Sequence, residues 1–122
     1  VDDVPGWIRF HTNNLNYLNI EGLEVDCAYS AKEGVAKIES SIDEPYDIIF
    51  TDLQMESDFL PLFAGEWFVK QIKTYKEYNN TKVVIVSASP SIQRIAERNG
   101  VLCLPKTVAR NSDAEVYRQF IV

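Results

Sequence analysis

The stretch of sequence that decides the fold is YDIIFTD, residues 46–52. Its β-branched and aromatic residues predict a strand that is buried on both faces and ends at Asp52. The run VVIV at residues 83–86 predicts a second strand of the same kind. Strands buried on both faces are typical of parallel sheets that carry helices on each side. The two runs therefore indicate an α/β fold.

The rest of the chain alternates between helical and strand patterns around these two runs. Helices are predicted at residues 7–20, after Ser30, at 65–78, from Ser89-Pro90 to Asn99-Gly100 and after Ser112, and further strands at residues 24–29 and 101–104. Alternating strands and helices pair in parallel through right-handed crossovers. The predicted fold is a doubly wound, open parallel sheet with helices on both faces.

Length and composition predict one domain that spans residues 1–122. A chain of 122 residues buries a single core and is too short for two. Hydrophobic residues make up 46% and charged residues 25%, the balance of an ordinary folded chain. The net charge of −6 repels phosphate backbones and anionic lipid surfaces, so we expect no direct nucleic-acid binding by this domain and no membrane binding.

The sequence indicates neither secretion nor membrane insertion. It contains no apolar run of about 18 residues, and its start lacks a basic region followed by an apolar one. Cys27 and Cys103 lie far apart without C-x-x-C spacing, which argues against a zinc site and against a disulfide framework. A cytoplasmic location is the expectation.

Polar side chains stand where the predicted strands end. Ligands of open α/β sheets bind at the carboxyl ends of the strands, where Asp52, Ser87 and Lys106 follow successive strands. Asp2 and Asp3 open the chain ahead of the first helix. Three converging carboxylates repel one another unless a divalent cation joins them, and oxygen ligands with water suit Mg²⁺. The lysine and the serine hydroxyl could then neutralise and orient a phosphoryl group.

Five short motifs then give a family resemblance over essentially the whole chain. They are Val1-Asp2-Asp3, the run DIIFTDLQM at residues 47–55, Gly65-Glu66, Val86-Ser87-Ala88 and Leu104-Pro105-Lys106. In this order and spacing they resemble the response-regulator receiver domains of two-component signalling. The resemblance implies a flavodoxin/CheY-like (βα)5 fold.

The resemblance also implies a function. Asp52 would take a phosphoryl group from a sensor histidine kinase or a phosphotransfer protein in a Mg²⁺-dependent reaction, and the domain would then switch conformation. The implied metal ligands are Asp2, Asp3, Asp52 and the Gln54 backbone carbonyl, and the implied catalytic residues are Asp52, Ser87 and Lys106. The chemistry would be limited to self-catalysed transfer and autodephosphorylation at Asp52, so the domain would not be an enzyme. A homodimer partner or a downstream output protein would receive the signal.

The chain departs from the family pattern in four places. Glu56 stands where the family usually has proline, and the stretch from there to Gly65 is several residues longer than usual. Cys103 replaces the usual aromatic switch residue, and Thr107 replaces the usual proline after the lysine. Val1 matches the last residue of the family's first, central strand, so we expect either residues upstream of Val1 or an altered sheet.

Apolar residues cluster in that longer stretch between Met55 and Ala64. Phe59, Leu60, Leu62 and Phe63 would either pack onto their own domain as a satellite core or dock a partner. The stretch is also expected to be more mobile than the strands. Trp7 and Trp67 are interpreted as packing residues, and His11 is assigned no role.

Three other functions remain in view. A receiver-like interaction module that does not switch by phosphorylation would fit Cys103, Thr107 and the long loop. A phosphatase of the haloacid dehalogenase type would use Asp52 as nucleophile, but its general-acid aspartate is Gln54 here, and an amide cannot donate that proton. A flavodoxin would share the architecture, yet the sequence has no Ser/Thr/Gly-rich phosphate loop.

Overall fold

The computed structural model describes residues 1–55 and 63–121. Its helices are α1 (Pro5–Tyr17), α2 (Ala31–Ser40), α3 (Ala64–Lys73), α4 (Ile92–Asn99), α5 (Lys106–Asn111) and α6 (Glu115–Ile121), its strands are β1 (Ile48–Asp52), β2 (Lys82–Ser87) and β3 (Leu102–Pro105), and a 3-10 turn covers Lys76–Tyr78. The described part of the chain is thus a mixed α/β structure. None of the helices within it is long and apolar enough to span a membrane.

The three strands form an open, all-parallel sheet in the order β1-β2-β3. Asp52 lies opposite Val86, and Ser87 lies opposite Pro105. Each parallel connection requires a crossover, and α3 and α4 provide the two. As a result the carboxyl ends of all three strands lie along one edge of the sheet.

Both faces of the sheet are covered by helices, as predicted from the apolar strands. Alternate residues of β2 point into two separate apolar clusters, because side chains along a strand alternate between its faces. In the first cluster Val83 and Ile85 pack with residues of α2, α3 and α4, including Phe68. In the second, Val84 and Val86 pack with residues of α1, α5 and α6.

Two of the predicted helix ends are confirmed. The Ser30 hydroxyl accepts a hydrogen bond from the Glu33 backbone N–H at 3.0 Å, and the Glu33 carboxylate accepts from the Tyr29 N–H at 3.2 Å. Gly100 ends α4 in the left-handed conformation, with φ of 66°, which glycine adopts without strain.

Two helix starts differ from the prediction. The hydroxyl of Ser89 accepts from the Ser91 N–H at 3.2 Å, but α4 begins only at Ile92. Before the last helix, which begins at Glu115, the Glu115 N–H donates to the Asp113 carboxylate at 3.0 Å and not to the predicted cap Ser112. The helix α5, which starts at the end of β3, was not predicted.

The strand predicted at residues 24–29 does not form in the described structure. Val1 and Asp2 lie between β1 and residues 24–29. The Val1 nitrogen donates to the Phe50 carbonyl at 2.6 Å, and the Asp52 N–H donates to the Val1 carbonyl at 2.8 Å. On the other side the Asp2 N–H donates to the Ala28 carbonyl at 3.1 Å. A strand needs a hydrogen-bonded neighbour along its length. Val1 and Asp2 reach residues 24–29 only at one end, where Asp2 bonds to Ala28.

Most of the apolar stretch between Met55 and Ala64 lies outside the described residues. That applies to Phe59, Leu60 and Leu62, and to the predictions of a satellite core, a docking patch and high mobility. Phe63 is described, and it packs half-buried against the first cluster just before α3. Trp67 packs against the same cluster, in line with its interpretation as a packing residue.

Candidate functional site

The structure brings the predicted carboxylates together at the carboxyl edge of the sheet. Asp52 is the last residue of β1, while Asp2 and Asp3 precede α1. Carboxylate oxygens of these three residues lie within 4.8 Å of one another. Asp2 and Asp52 are buried, whereas Asp3 is exposed. The cluster thus has a closed side within the protein and an open side toward solvent.

Lys106 joins the two buried carboxylates. It follows directly on β3, and its side chain is largely buried. Its Nζ lies 3.2 Å from Asp2 Oδ2 and 3.2 Å from Asp52 Oδ1. The same Nζ lies 4.6 Å from the centre of the Trp7 ring, within the range of a cation–π interaction. The lysine charge is therefore held in one place by two carboxylates and one aromatic face.

Asp2 has one satisfied and one unsatisfied oxygen. Its Oδ1 accepts a hydrogen bond from the Val4 N–H at 2.9 Å. Its Oδ2 is buried and accepts no hydrogen bond from the described residues, although Lys106 Nζ is at ion-pair distance. The distance gives attraction between the charges, but the direction is wrong for a hydrogen bond. A buried carboxylate oxygen with a free lone pair, beside two further carboxylates, fits a hard divalent cation such as Mg²⁺.

The environment of Asp52 changes its acidity. Burial raises the pKa of Asp52 from 3.8 to about 6, and the nearby charge of Asp2 adds to the rise. Lys106 and the Leu53 N–H act in the opposite direction. The carboxylate is thus a stronger base than an exposed aspartate, and a second cation beside it would favour its ionised form.

Ser87 and Gln54, the remaining predicted site residues, both follow Asp52 in the sequence. Ser87 ends β2 and is buried, and its hydroxyl oxygen accepts the Ser89 N–H at 3.1 Å. Accepting leaves the hydroxyl proton available to an anion. Gln54 lies in the exposed turn two residues after Asp52. The structure therefore places all six predicted residues at or next to the same edge of the sheet.

The start of α3 is fixed tightly against the end of β1. The Gly65 N–H donates to the Leu53 carbonyl at 2.9 Å. A Cβ atom on Gly65 would lie 2.1 Å from the Asp52 carbonyl oxygen, which is far inside contact distance. Only glycine allows this approach of the two backbones, so the glycine of the Gly65-Glu66 motif sets the position of Asp52.

Glu66 belongs to a polar network that sequence reasoning missed. Its Oε1 accepts from Arg98 Nη2 at 2.6 Å, from Arg98 Nε at 2.9 Å and from Asn99 Nδ2 at 3.0 Å. Burial works to raise the pKa of Glu66, but these hydrogen bonds outweigh it and the pKa is lowered. The network ties α3 to α4. No short-range signal could have found it, because Arg98 and Asn99 lie 32 and 33 positions from Glu66.

A second missed group lies under Lys106 on the α1 side. His11 Nδ1 and the Tyr117 hydroxyl are 2.6 Å apart, and the His11 ring stacks on Trp7 at 5.5 Å. Burial lowers the pKa of His11 to about 4, so the ring is neutral at pH 7. Trp7, interpreted from sequence as a packing residue, also positions Lys106. The partner of His11 is 106 positions away, beyond any sequence pattern.

The residues that depart from the family pattern occupy unremarkable places. Cys103 lies half-buried on β3 beside the first apolar cluster, and burial raises the pKa of its thiol, which makes it less reactive. Thr107 is exposed in the first turn of α5. Cys27 and Cys103 are both free thiols, as expected from their spacing.

Comparison with known proteins does not assign the chain: no protein-family model matches it, and no curated protein matches it. Any functional conclusion rests on the site itself. Three carboxylates, one lysine and one hydroxyl at a sheet edge can bind a divalent cation and an anionic phosphoryl group, and Asp52 can act as a nucleophile toward phosphorus.

Proposed function

We propose that the chain is a phosphoacceptor receiver domain of a two-component system, with the flavodoxin/CheY-like (βα)5 fold. A histidine kinase or phosphotransfer protein passes a phosphoryl group to Asp52 in a Mg²⁺-dependent reaction in the cytoplasm. The domain then acts on a downstream output protein or on a second copy of itself. It catalyses only its own phosphorylation and dephosphorylation.

One observation carries the proposal, namely the placement of Lys106 between two buried carboxylates. A lysine that contacted Asp52 alone would be an ordinary ion pair. Lys106 Nζ instead lies 3.2 Å from carboxylate oxygens of both Asp2 and Asp52, where the negative charge at the strand ends is concentrated. A transferred phosphoryl group would add further negative charge there, and a fixed cation stabilises that charge without reorganisation.

The proposed chemistry needs few steps. A carboxylate oxygen of Asp52 attacks phosphorus while the phosphorus–nitrogen bond of the donor phosphohistidine breaks, and the donor imidazole takes up a proton. Lys106 Nζ and the Ser87 hydroxyl donate hydrogen bonds to the phosphoryl oxygens. Mg²⁺, held by Asp2, Asp3, Asp52 and the Gln54 carbonyl, would neutralise the clustered carboxylates and the incoming oxygens.

Cys103 favours a second candidate, a receiver-like interaction module that does not switch by phosphorylation. Cys103 is half-buried against the first cluster. Switching in the family uses an aromatic side chain at this position, which rotates between two orientations. The cysteine side chain is too small to replace an aromatic ring in this rotation. In this alternative the domain binds its partner in one state only.

Labelling with acetyl phosphate tests the proposed function. The wild-type chain should gain one phosphoryl group in the presence of Mg²⁺ and none when the metal is chelated, because the cation offsets the repulsion between the clustered carboxylates and the incoming phosphoryl oxygens. Intact-mass spectrometry measures the adduct, and its cleavage by neutral hydroxylamine identifies an acyl phosphate. A chain that never gains the adduct would support the non-switching module instead.

Mg²⁺ titration tests the metal ligands separately. Asp3→Ala removes the exposed carboxylate of the cluster and should weaken Mg²⁺ binding at least about tenfold, since even residues behind metal ligands contribute that much. The matched control is Asp43→Ala, which removes an exposed carboxylate remote from the cluster in sequence. Isothermal titration calorimetry should show a loss in the first variant only. Equal affinities in both variants would remove Asp3 from the site.

A further inference from the structure

The Trp7 ring is in contact with two cations of α5. Lys106 Nζ lies 4.6 Å from the centre of the ring, and the Arg110 guanidinium carbon lies 5.7 Å from it. Both distances are within the range of a cation–π interaction, which extends to about 6 Å. The two residues are four positions apart on α5, so they lie on the same side of that helix. One aromatic ring therefore attracts one buried and one exposed cation.

The Trp7 ring is fixed from behind and offers the cations a single face. The His11 ring stacks on it at 5.5 Å with an angle of 28° between the planes, and the Phe10 ring meets it edge-on at 5.3 Å. His11 is itself held by the buried Tyr117, whose hydroxyl is 2.6 Å from its Nδ1. A ring that is stacked on one side receives cations on the other. The two cations of α5 therefore compete for the same face.

The two cations differ in what else holds them. Lys106 Nζ lies 3.2 Å from Asp2 Oδ2 and 3.2 Å from Asp52 Oδ1. Arg110 is exposed, and no carboxylate of the described residues lies at ion-pair distance from its guanidinium group. Like charges repel at short range, so the nearer lysine keeps the arginine at the edge of the ring. The position of Arg110 thus depends on whether Lys106 occupies the ring.

From this geometry we propose that Arg110 replaces Lys106 on the Trp7 ring when Asp52 is phosphorylated. The inference rests on the proposed function, because it takes Asp52 as the phosphoacceptor. The transferred group brings three acceptor oxygens to the site. Hydrogen bonds between an ammonium group and phosphoryl oxygens are charge-assisted and stronger than the attraction of an aromatic ring. Lys106 therefore turns toward these oxygens, which also offset its charge, and Arg110 moves onto the vacated face.

The exchange changes the protein surface between α1 and α5. Arg110 and the Trp7 ring line a surface groove together with Val4 and Phe10. When the guanidinium group moves onto the ring, the groove loses an open aromatic face and its positive charge shifts inward. The domain then displays the state of the phosphorylation site at this groove, although Cys103 cannot act as an aromatic switch.

Nuclear magnetic resonance of the full chain tests the exchange, because protons above an aromatic face resonate upfield. In the unphosphorylated chain the Lys106 ε-methylene signals should be shifted upfield, and the Arg110 Nε–H signal should be shifted little. After addition of acetyl phosphate and Mg²⁺ the Lys106 shift should be lost and the Arg110 signal should move upfield. Asp52→Asn should show neither change, and Trp7→Leu should remove both shifts. The signal of Arg94, exposed on α4, is the control and should not move.

Lys106→Met tests the competition without phosphorylation. Methionine has a similar length and no charge, so the Arg110 signal should move upfield in the unlabelled variant as far as it does in the phosphorylated wild type. The double variant Asp52→Asn/Lys106→Met relieves the repulsion between the buried carboxylates and gives the same test if the single variant does not fold.

Three outcomes would overturn parts of this account. An Arg110 signal that does not move when Lys106 is replaced would overturn the competition for the ring. A Lys106 signal that keeps its upfield shift in the phosphorylated chain would overturn the exchange. A wild-type chain that takes no phosphoryl group would overturn the proposed function and the trigger, while the competition itself would still stand or fall with the Lys106→Met result.

Discussion

Asp52→Asn is expected to abolish phosphoryl labelling by acetyl phosphate. The amide is a poor nucleophile and a weaker metal ligand, so both the attack on phosphorus and the binding of the cation are lost. The side chain keeps its size, and the fold should survive. Intact-mass spectrometry with Mg²⁺ measures the adduct on variant and wild type under the same conditions. Undiminished labelling of the variant would show that the phosphoryl group goes to another residue.

The same variant should be more stable than the wild type in metal-free solution at pH 7. Burial and the charge of Asp2 raise the pKa of Asp52 from 3.8 to about 6. Because the folded-state pKa lies above that of the unfolded chain, stability falls as the pH rises from about 4 to about 6, and the loss remains at pH 7. The difference between the two pKa values corresponds to up to about 3 kcal/mol, and the opposing attraction of Lys106 is already contained in it.

Thermal melts without metal at pH 4 and pH 7 separate the effect of the Asp52 charge on stability from effects of the substitution that do not depend on pH. The advantage of Asp52→Asn should be present at pH 7 and nearly absent at pH 4, where the wild-type carboxyl group is protonated in the fold. Asp43→Asn, at an exposed position, is the matched control and should show no such pH dependence. An Asp52→Asn variant that is less stable than the wild type at pH 7 would mean that the Lys106 contact outweighs desolvation and repulsion.

Gly65→Ala is expected to cause the largest loss of stability, about 3 kcal/mol or more. The new Cβ would lie 2.1 Å from the Asp52 carbonyl oxygen and 2.7 Å from Leu53 Cα, and backbone atoms cannot rotate away. Either α3 or the end of β1 must shift. Because Asp52, the proposed phosphoacceptor, lies at that end of β1, labelling by acetyl phosphate should slow as well.

Gly6→Ala is the matched control for that substitution. A Cβ on Gly6 meets no atom within 4 Å, and the position lies within α1, where alanine is favoured over glycine by up to about 1 kcal/mol. Urea denaturation should show this variant unchanged or more stable. If both glycine variants had the same stability as the wild type, the close approach of α3 to β1 would not exist in solution.

Local sequence patterns were enough to predict the framework of the molecule. The apolar runs around Ile49 and Val84 form the strands β1 and β2, because a run that is apolar on both faces can be satisfied only between two helical layers. The capping pattern at Ser30 and the glycine at position 100 act within a few residues of chain and are found as predicted. The site residues Asp52, Ser87 and Lys106 were predictable for the same reason, since each directly follows or ends a strand.

Contacts between distant parts of the chain were decided only by the tertiary structure. The sequence placed Lys106 at the right edge, but its position between Asp2 and Asp52 depends on the register of three strands. The pairing of Glu66 with Arg98 depends on how two helices pack on one face. Residues 24–29 have the composition of a strand, yet strand structure requires a hydrogen-bonded neighbour, and that neighbour is a property of the assembled sheet.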